Sequence, residues 1–312
     1  MSDLKEIQTK TANPSAEKQK KVKKNRKDRR DGRWVKEADP MHHYMPYILP
    51  NRADNEALLC ENFDMTEVLK YLKEKNAGIE EGGYKYTLFH VITAALTKVM
   101  YFRPKLNYFI QGHRLYERYD ISYSFAIKKK FADDAKEGLC IIKVGKPGSV
   151  PINELYEKIK ERVYSIRHKD ETDGTTGIMA KLVKMPRWLI RLVTSVVRFW
   201  DYHGITPKSL SKDDPYYTSV FISNLGSIKM SANYHHLANY GTNSFFLIIN
   251  EMKKTPVFKE DGSFELKDTI DMAFTIDERI ADGVYFGNSI KLLKKVLNNP
   301  WILESSVETP VE

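Results

Sequence analysis

From Trp34 onward, apolar residues recur at spacings that are typical of amphipathic helices and half-buried strands. Asp64-Met65-Thr66-Glu67 has the pattern of a helix N-terminus, and further helices are predicted over residues 87–102, 152–168 and 284–297. Strands are predicted over residues 108–110, 114–116, 121–128, 139–144, 219–223, 244–250 and 269–276. This order of helices and strands predicts one α/β domain over residues 34–305, followed by a short C-terminal tail at 306–312.

The first 33 residues differ from the rest in composition. They contain 12 Lys and Arg against five Asp and Glu, a net charge of +7, which leaves only +2 of the total of +9 for the remaining chain. They hold almost no large apolar residues, so they cannot bury enough surface to fold alone. We therefore expect residues 1–33 to form a disordered basic tail. Two roles are open for it: a solvated tail that aids solubility, and a ligand for RNA, membrane phosphates or an acidic partner.

Residues 178–202 have the pattern of an amphipathic helix that contains Trp188 and Trp200. All charged residues of this segment before Asp201 are basic. Two interpretations are open. The helix could lie on an anionic membrane or cover an apolar substrate tunnel. It could equally be a buried core helix with arginines at its rim.

The remaining composition limits the class of protein. Cys60 and Cys140 are too few for a disulfide framework or a thiolate metal cage, and their apolar neighbours predict two buried free thiols. No set of histidines, cysteines and carboxylates has metal-binding spacing, so no metal is expected. No apolar run approaches the roughly 20 residues that span a bilayer, and the N-terminus has no secretory pattern. We expect a cytoplasmic protein whose membrane contacts, if any, involve residues 1–33 and 178–202.

Two motifs carry a resemblance to a known family. Asp277-Glu278-Arg279-Ile280-Ala281-Asp282-Gly283 lies between a predicted strand and the last predicted helix, and Phe221-Ile222-Ser223-Asn224-Leu225-Gly226 ends an earlier strand. The first motif resembles the Asp-His-Arg-x-x-Asp-Gly signature of 2-oxo acid dehydrogenase acyltransferases and the His-x-x-x-Asp-Gly run of chloramphenicol acetyltransferase. The second motif resembles the Ile-Ser-Asn-Leu-Gly strand end of the dehydrogenase acyltransferases. The resemblance covers roughly residues 41–305. It implies a mixed sheet flanked by helices, assembled as a homotrimer with active sites between subunits.

The resemblance also implies roles for individual residues. Ser223 lies where the family stabilises the tetrahedral intermediate, and Asn224 follows it in the same motif. Asp282 would hold the active-site loop through a salt bridge, beside Gly283 and Arg279. The implied reaction is transfer of an acyl group from coenzyme A, or from the pantetheine of an acyl carrier protein, to a hydroxyl, amine or thiol.

The sequence departs from the signature at its catalytic histidine, where it has Glu278. A general base needs a pKa near the working pH, and a glutamate, ordinarily about 4.3, meets this only when burial raises it. An ion pair of Glu278 with Arg279 or Arg52 is the alternative. His235 and His236, on a loop after Ser223, are the other candidate bases, or else surface residues.

Two functions therefore remain open at this point. One is an acyltransferase in which Ser223 works with His235, His236 or Glu278. The other is a non-catalytic trimeric binding or scaffold protein that kept the fold and lost the chemistry.

Overall fold

A computed structural model of the chain describes residues 25–128, 137–168 and 182–311. The helices are α1 (Pro40–Ile48), α2 (Thr66–Asn76), α3 (Leu88–Phe102), α4 (Pro151–His168), α5 (Arg187–Tyr202), the one-turn α6 (Lys208–Ser211) and α7 (Gly283–Asn298). The strands are β1 (Gly32–Trp34), β2 (Glu56–Asp64), β3 (Tyr108–Gln111), β4 (Arg114–Arg118), β5 (Ile121–Lys128), β6 (Glu137–Val144), β7 (Val220–Asn224), β8 (Phe245–Phe258) and β9 (Phe264–Asp277).

The strands form two sheets. Six of them lie in the order β2-β9-β8-β7-β5-β6, and a small sheet has the order β1-β4-β3. In the large sheet, β7 is parallel to both of its neighbours, β5 and β8, while the other pairs are antiparallel. The mixed sheet that the resemblance implied is therefore confirmed.

The two faces of the large sheet are covered differently. Along β8, Phe245 and Leu247 face the main core, to which α2, α3, α4 and α7 contribute. Phe246 and Ile248 point to the opposite face, because side chains alternate along a strand, and there they pack in a small cluster with Leu237. Ser223, beside Ile248, points to this second face.

Both ends of the domain differ from the prediction. Arg29, expected in the disordered tail, is buried against the carboxylates of Asp31 and Asp201, and β1 begins at Gly32. The composition argument failed there because specific carboxylates compensate the burial of this guanidinium. At the other end, Val307 and Val311 are buried in the main core, so residues 306–311 are no tail. Residues 1–24 lie outside the described residues.

The two thiols lie in different environments. Cys140 is buried as predicted, and burial raises the pKa of its thiol to about 12. Cys60 is exposed, so the prediction for it was wrong. It lies on β2, an edge strand, and shares the less covered face of the sheet with its neighbour Ala273.

The helix predicted within residues 178–202 is present as α5, although residues 178–181 lie outside the described residues. The core-helix interpretation is wrong, because Asp201 is the one buried residue of α5. The helix is held at this end: the Asp201 carboxylate accepts hydrogen bonds from Arg29 at 3.1 Å and from Gln111 at 2.5 Å. Among the described helices, none is long and apolar enough to cross a membrane.

Candidate functional site

Ser223 lies near the carboxyl end of β7, beside Ile248 of β8. Its side chain is half-buried, and its hydroxyl makes no hydrogen bond to another described residue. The strand then enters a tight turn at Gly226, where a Cβ would lie only 2.7 Å from the carbonyl oxygen of Asn250. The glycine of the motif thus lets the turn close against β8, which fixes the position of the serine.

A cavity of about 730 Å³ opens beside Ser223, at the point where β5 and β7 separate. These strands are paired at three positions, the last of which is Phe125–Ile222. Beyond it, Ile127 on one strand and Asn224 on the other line the gap, and the start of α3 and the inner side of α4 close it. The volume is within the range of small-molecule sites, about 300–1,000 Å³.

His90, in the first turn of α3, forms part of the cavity wall. It is 2% exposed, and its Nδ1 accepts a hydrogen bond from the backbone N–H of Thr87 at 3.1 Å. Burial lowers the pKa of His90 to about 4, so the ring is neutral at neutral pH and carries its proton on Nε2. That N–H has no partner among the described residues. The Nε2 atom is fully buried, and the ring lies among aromatic side chains, so His90 supports the wall and does not present its N–H to the cavity.

A stack of four rings leads from the cavity to a surface loop. Phe221, which lines the cavity, stacks on Phe246 at 4.9 Å, and Phe246 stacks on His235 at 4.1 Å with the rings nearly parallel. His236 lies at the exposed end of the stack, 4.8 Å from His235. Residues 221 and 223 point to the same face of β7, so His235 is held on the face to which Ser223 points.

The two histidines differ in their hydrogen bonding. Nδ1 of His235 lies 3.0 Å from the carbonyl oxygen of His236, and a carbonyl can only accept. The proton of neutral His235 is therefore on Nδ1, which leaves the Nε2 lone pair free to act as a base. Neither ring is hydrogen-bonded to Ser223 in the described chain. The Cα of Phe246, beneath His235, is roughly 8 Å from that of Ser223 by strand geometry.

The signature at the end of β9 contains a buried ion pair. Arg279 Nε and Nη2 donate to the two carboxylate oxygens of Asp277 at 2.8 and 2.7 Å. Arg279 is 1% exposed and Asp277 is fully buried. Arg279 also donates to the carbonyls of Leu49 and Pro50 at 2.7 and 3.2 Å. The pair thus fastens the segment before β2 to the end of β9, which is a structural role.

Arg52 connects this pair to the histidine loop. Its Nε lies 3.6 Å from Asp277. Its Nη1 and Nη2 donate to the carbonyls of Ala238 at 2.8 Å and Gly241 at 3.1 Å. The loop is also held on β9, where the His235 N–H donates to the Thr275 hydroxyl at 3.4 Å.

Glu278 has a different environment from the one expected. Its side chain is exposed and makes no ion pair with a described residue, because both candidate partners, Arg279 and Arg52, face Asp277. The ion-pair expectation for Glu278 was therefore wrong, because the carboxylate that points inward and pairs with the arginines is that of Asp277. Ser223 on β7 is level with Ala273 on β9, two strands away, and Glu278 follows Ala273 by five residues. Glu278 and Ser223 are therefore on the order of 15–20 Å apart.

Asp282 does not form the salt bridge that the resemblance implied, as no basic side chain of the described residues pairs with it. It caps α7 instead: its carboxylate accepts the backbone N–H of Tyr285 at 2.7 Å, and this bond lowers the pKa of Asp282. Gly283 is exposed, and a Cβ there would meet nothing within 4 Å. Asp282 and Gly283 thus start a helix.

Within the described residues, no group of three or more histidines, cysteines and carboxylates could hold a metal. Sequence reasoning missed the Phe221–Phe246–His235 stack and the role of His90 in the cavity. The stack depends on strand pairing, which no local pattern contains. The pattern Thr87-x-x-His90 at a helix start was a signal for the ring orientation of His90.

Comparisons with known proteins agree with this geometry. Residues 205–304 match the family model of the 2-oxoacid dehydrogenases acyltransferase (catalytic domain), a range that includes Ser223, the histidine loop and the signature. No curated protein sequence matches the chain.

Several solved structures share the fold. A probable dihydrolipoamide acetyltransferase from Listeria monocytogenes 4b F2365 has a TM-score of 0.55 at 18% identity, over 87% of this chain and 92% of that chain. The cubic core of the pyruvate dehydrogenase multienzyme complex gives 0.56 at 16% identity, over 85% and 93%. A chloramphenicol acetyltransferase gives 0.50 at 12%, over 84% and 96%. The chain therefore has the fold of these acyltransferases, and the resemblance to the 2-oxoacid dehydrogenase acyltransferase catalytic domain is confirmed.

Proposed function

We propose that the protein transfers an acyl group from a pantetheine thioester to a hydroxyl, amine or thiol. The position of Ser223 carries this proposal. Its hydroxyl is half-buried, lies at the edge of the cavity and points to the sheet face on which His235 is held. The family match over residues 205–304 supports acyl transfer as the reaction class.

The cavity would take the pantetheine arm of the donor. Phe125, Ile127 and Ile222 give it apolar walls, and the half-buried Ser223 and Asn224 add polar groups at its edge. A pantetheine arm combines apolar methylene groups with amides, which matches such a mixed lining. Coenzyme A and an acyl carrier protein present the same arm, so both are candidate donors.

The chemistry would use Ser223 and His235. Nε2 of His235 removes the proton of the acceptor as the acceptor attacks the thioester carbonyl carbon. The Ser223 hydroxyl donates to the oxyanion of the tetrahedral intermediate. When this collapses, the carbon–sulfur bond breaks and the thiolate takes the proton from the imidazolium. The atoms balance without a further reactant.

A homotrimer is part of the proposal. Glu278 and Ser223 are too far apart within one chain to act on one substrate, so a site that used both would need two copies. The similarity to a cubic core structure agrees with assembly through subunit contacts, although the cube itself is a property of that protein.

The test is release of free thiol from a panel of acyl-coenzyme A thioesters, and from acyl carrier protein, with alcohol, amine and thiol acceptors. We expect Ser223→Ala to lower turnover by roughly 10²–10³, as loss of one oxyanion donor does. His235→Ala should lower it by roughly 10²–10⁴, the effect of removing a general base. His236→Ala is the matched control and should retain most activity, because His236 only ends the stack.

Glu278→Gln is expected to lower turnover only slightly. If it abolished turnover while His235→Ala kept it, the base would be Glu278, acting on the site of another copy.

A non-catalytic binding or scaffold protein is the second candidate. It is favoured by the carboxylate of Glu278 where the family has its histidine, and by the lack of a hydrogen bond from Ser223 to either described histidine. No turnover by the wild-type protein with any donor, together with saturable binding of coenzyme A, would favour this candidate.

A further inference from the structure

The side chains of α5 divide sharply into two faces. At 3.6 residues per turn, one arc of the helix is polar and contains three arginines. The opposite arc is apolar and covers more than half of the helix circumference. It contains aromatic side chains near both the N-terminus and the C-terminus of the helix. The apolar residues are Trp188, Leu189, Ile190, Leu192, Val193, Val196, Val197, Phe199 and Trp200, and the polar residues are Arg187, Arg191, Thr194, Ser195 and Arg198.

No residue of the apolar arc belongs to the main core, and one side of the arc is exposed. The residues on its other side are half-buried: Leu189, Ile190, Val193, Val197 and Trp200. Trp188 is 67% exposed, Leu192 54% and Phe199 59%, and α5 is fastened to the domain through Asp201 at its C-terminal end. No α5 residue lines the cavity beside Ser223. The idea that the helix covers a substrate tunnel therefore has no support in the cavity, and the exposed face needs another partner.

The charge around this face has one sign. Residues 182–200 contain Lys184, Arg187, Arg191 and Arg198 but no Asp or Glu, and Asp201 is neutralised by Arg29. The surface therefore has four cations and no anion of its own to pair with them. An anionic partner complements this charge, whereas a second copy of the same helix supplies no anion.

A neighbouring feature extends the surface. Ring contacts run from Phe199 through His203, Tyr202 and His113 to Tyr47 on α1, whose outer side chains are also exposed. These side chains continue the exposed surface from α5 towards α1.

We propose that α5 binds the surface of an anionic lipid bilayer and lies in its interface. The apolar arc with Trp188 and Phe199 enters the boundary between head groups and acyl chains, while Arg187, Arg191 and Arg198 contact lipid phosphates and carboxylates. Helices that lie in a membrane interface share these properties: low overall hydrophobicity, Trp and Phe on one face, and basic residues on the other.

The test is flotation of the full-length protein with vesicles of phosphatidylcholine and phosphatidylserine, compared with phosphatidylcholine alone. We expect binding to the mixed vesicles that weakens as salt is raised. Each arginine near an anionic surface is worth about 1 kcal/mol, so Arg191→Gln/Arg198→Gln should bind roughly 30-fold more weakly. Trp188→Ala/Phe199→Ala should lose binding at all salt concentrations.

Phe258→Ala is the matched control, and it should bind as wild type does. Phe258 is similarly exposed, and its ring contacts Phe264 of the same β8–β9 hairpin. A chain without residues 1–24 should bind more weakly but still require Trp188 and Phe199. The proposal is overturned if the wild type does not float with anionic vesicles, or if both double variants bind as it does. It is also overturned if the Trp188→Ala/Phe199→Ala variant has a smaller mass in sedimentation, because α5 would then be a contact between copies.

Discussion

Arg279→Gln should destabilise the domain strongly while leaving the groups proposed for acyl transfer in place. In the structure, Arg279 makes two hydrogen bonds to Asp277 and two to backbone carbonyls, and both side chains are almost completely shielded from water. The glutamine would leave the Asp277 carboxylate buried with Arg52 as its remaining cation, at 3.6 Å.

The size of the effect follows from this burial. Removal of one partner from a buried ion pair costs about 3–5 kcal/mol, and the nearby Arg52 places our expectation at the lower end, about 3 kcal/mol. The matched control is Lys254→Gln, which breaks a pair of similar length, 2.8 Å to Asp268, whose lysine is 62% exposed. Exposed pairs contribute less than about 1 kcal/mol, so the control should be nearly neutral.

The measurement is urea unfolding of both variants and the wild type at pH 7 and one protein concentration, with thiol release assayed in parallel. The reasoning fails if Arg279→Gln loses no more stability than Lys254→Gln. It also fails if Arg279→Gln unfolds like the wild type but has lost its turnover, since Arg279 would then serve the chemistry and not the fold.

Further predictions concern the tail, a buried histidine and assembly. Removing residues 1–24 should leave the melting temperature nearly unchanged, whereas removing residues 1–33 should lower it by several degrees, because Arg29 and part of β1 go with it. His90 has a pKa of about 4 when folded and about 6.5 when unfolded, so the unfolded chain takes up the proton first as the pH falls. Stability should therefore decrease between pH 6.5 and 4, by up to about 3 kcal/mol, and His90→Phe should flatten this dependence in urea titrations. Light scattering at micromolar concentration should give the mass of a trimer, and a clean monomer mass would contradict the proposed homotrimer.

Elements and motifs were predicted correctly from the sequence where a single local segment determines the structure. The run that became α3 is mostly apolar and stops before Pro104, so a helix could be predicted there from the local sequence alone. The two motifs likewise placed Ser223 and the end of β9 correctly. Both sit at the ends of strands, and glycine, proline and alternation mark such ends locally.

The predictions that failed for Arg29, Glu278 and α5 depended on contacts between segments distant in sequence. Arg29 is buried because Asp201, 172 positions away, meets it. Arg52 and Arg279, the partners expected for Glu278, face Asp277 instead. The pairing of β9 with its neighbours determines which of these two carboxylates points inward. The exposure of α5 was equally undetermined, since one amphipathic pattern fits a core and a membrane surface alike.

The manner in which α5 is attached has a consequence for how this protein can evolve. The exposed apolar residues of α5, such as Trp188 and Phe199, lie outside the core, so we expect substitutions there to change what the helix binds and to leave folding nearly unaffected. The C-terminal end of the helix, by contrast, is limited by another element: a Cβ at Gly112, on the β3–β4 turn, would lie 2.4 Å from the carbonyl oxygen of Tyr202. The binding face of α5 and its position on the domain therefore depend on different residues, which can change independently.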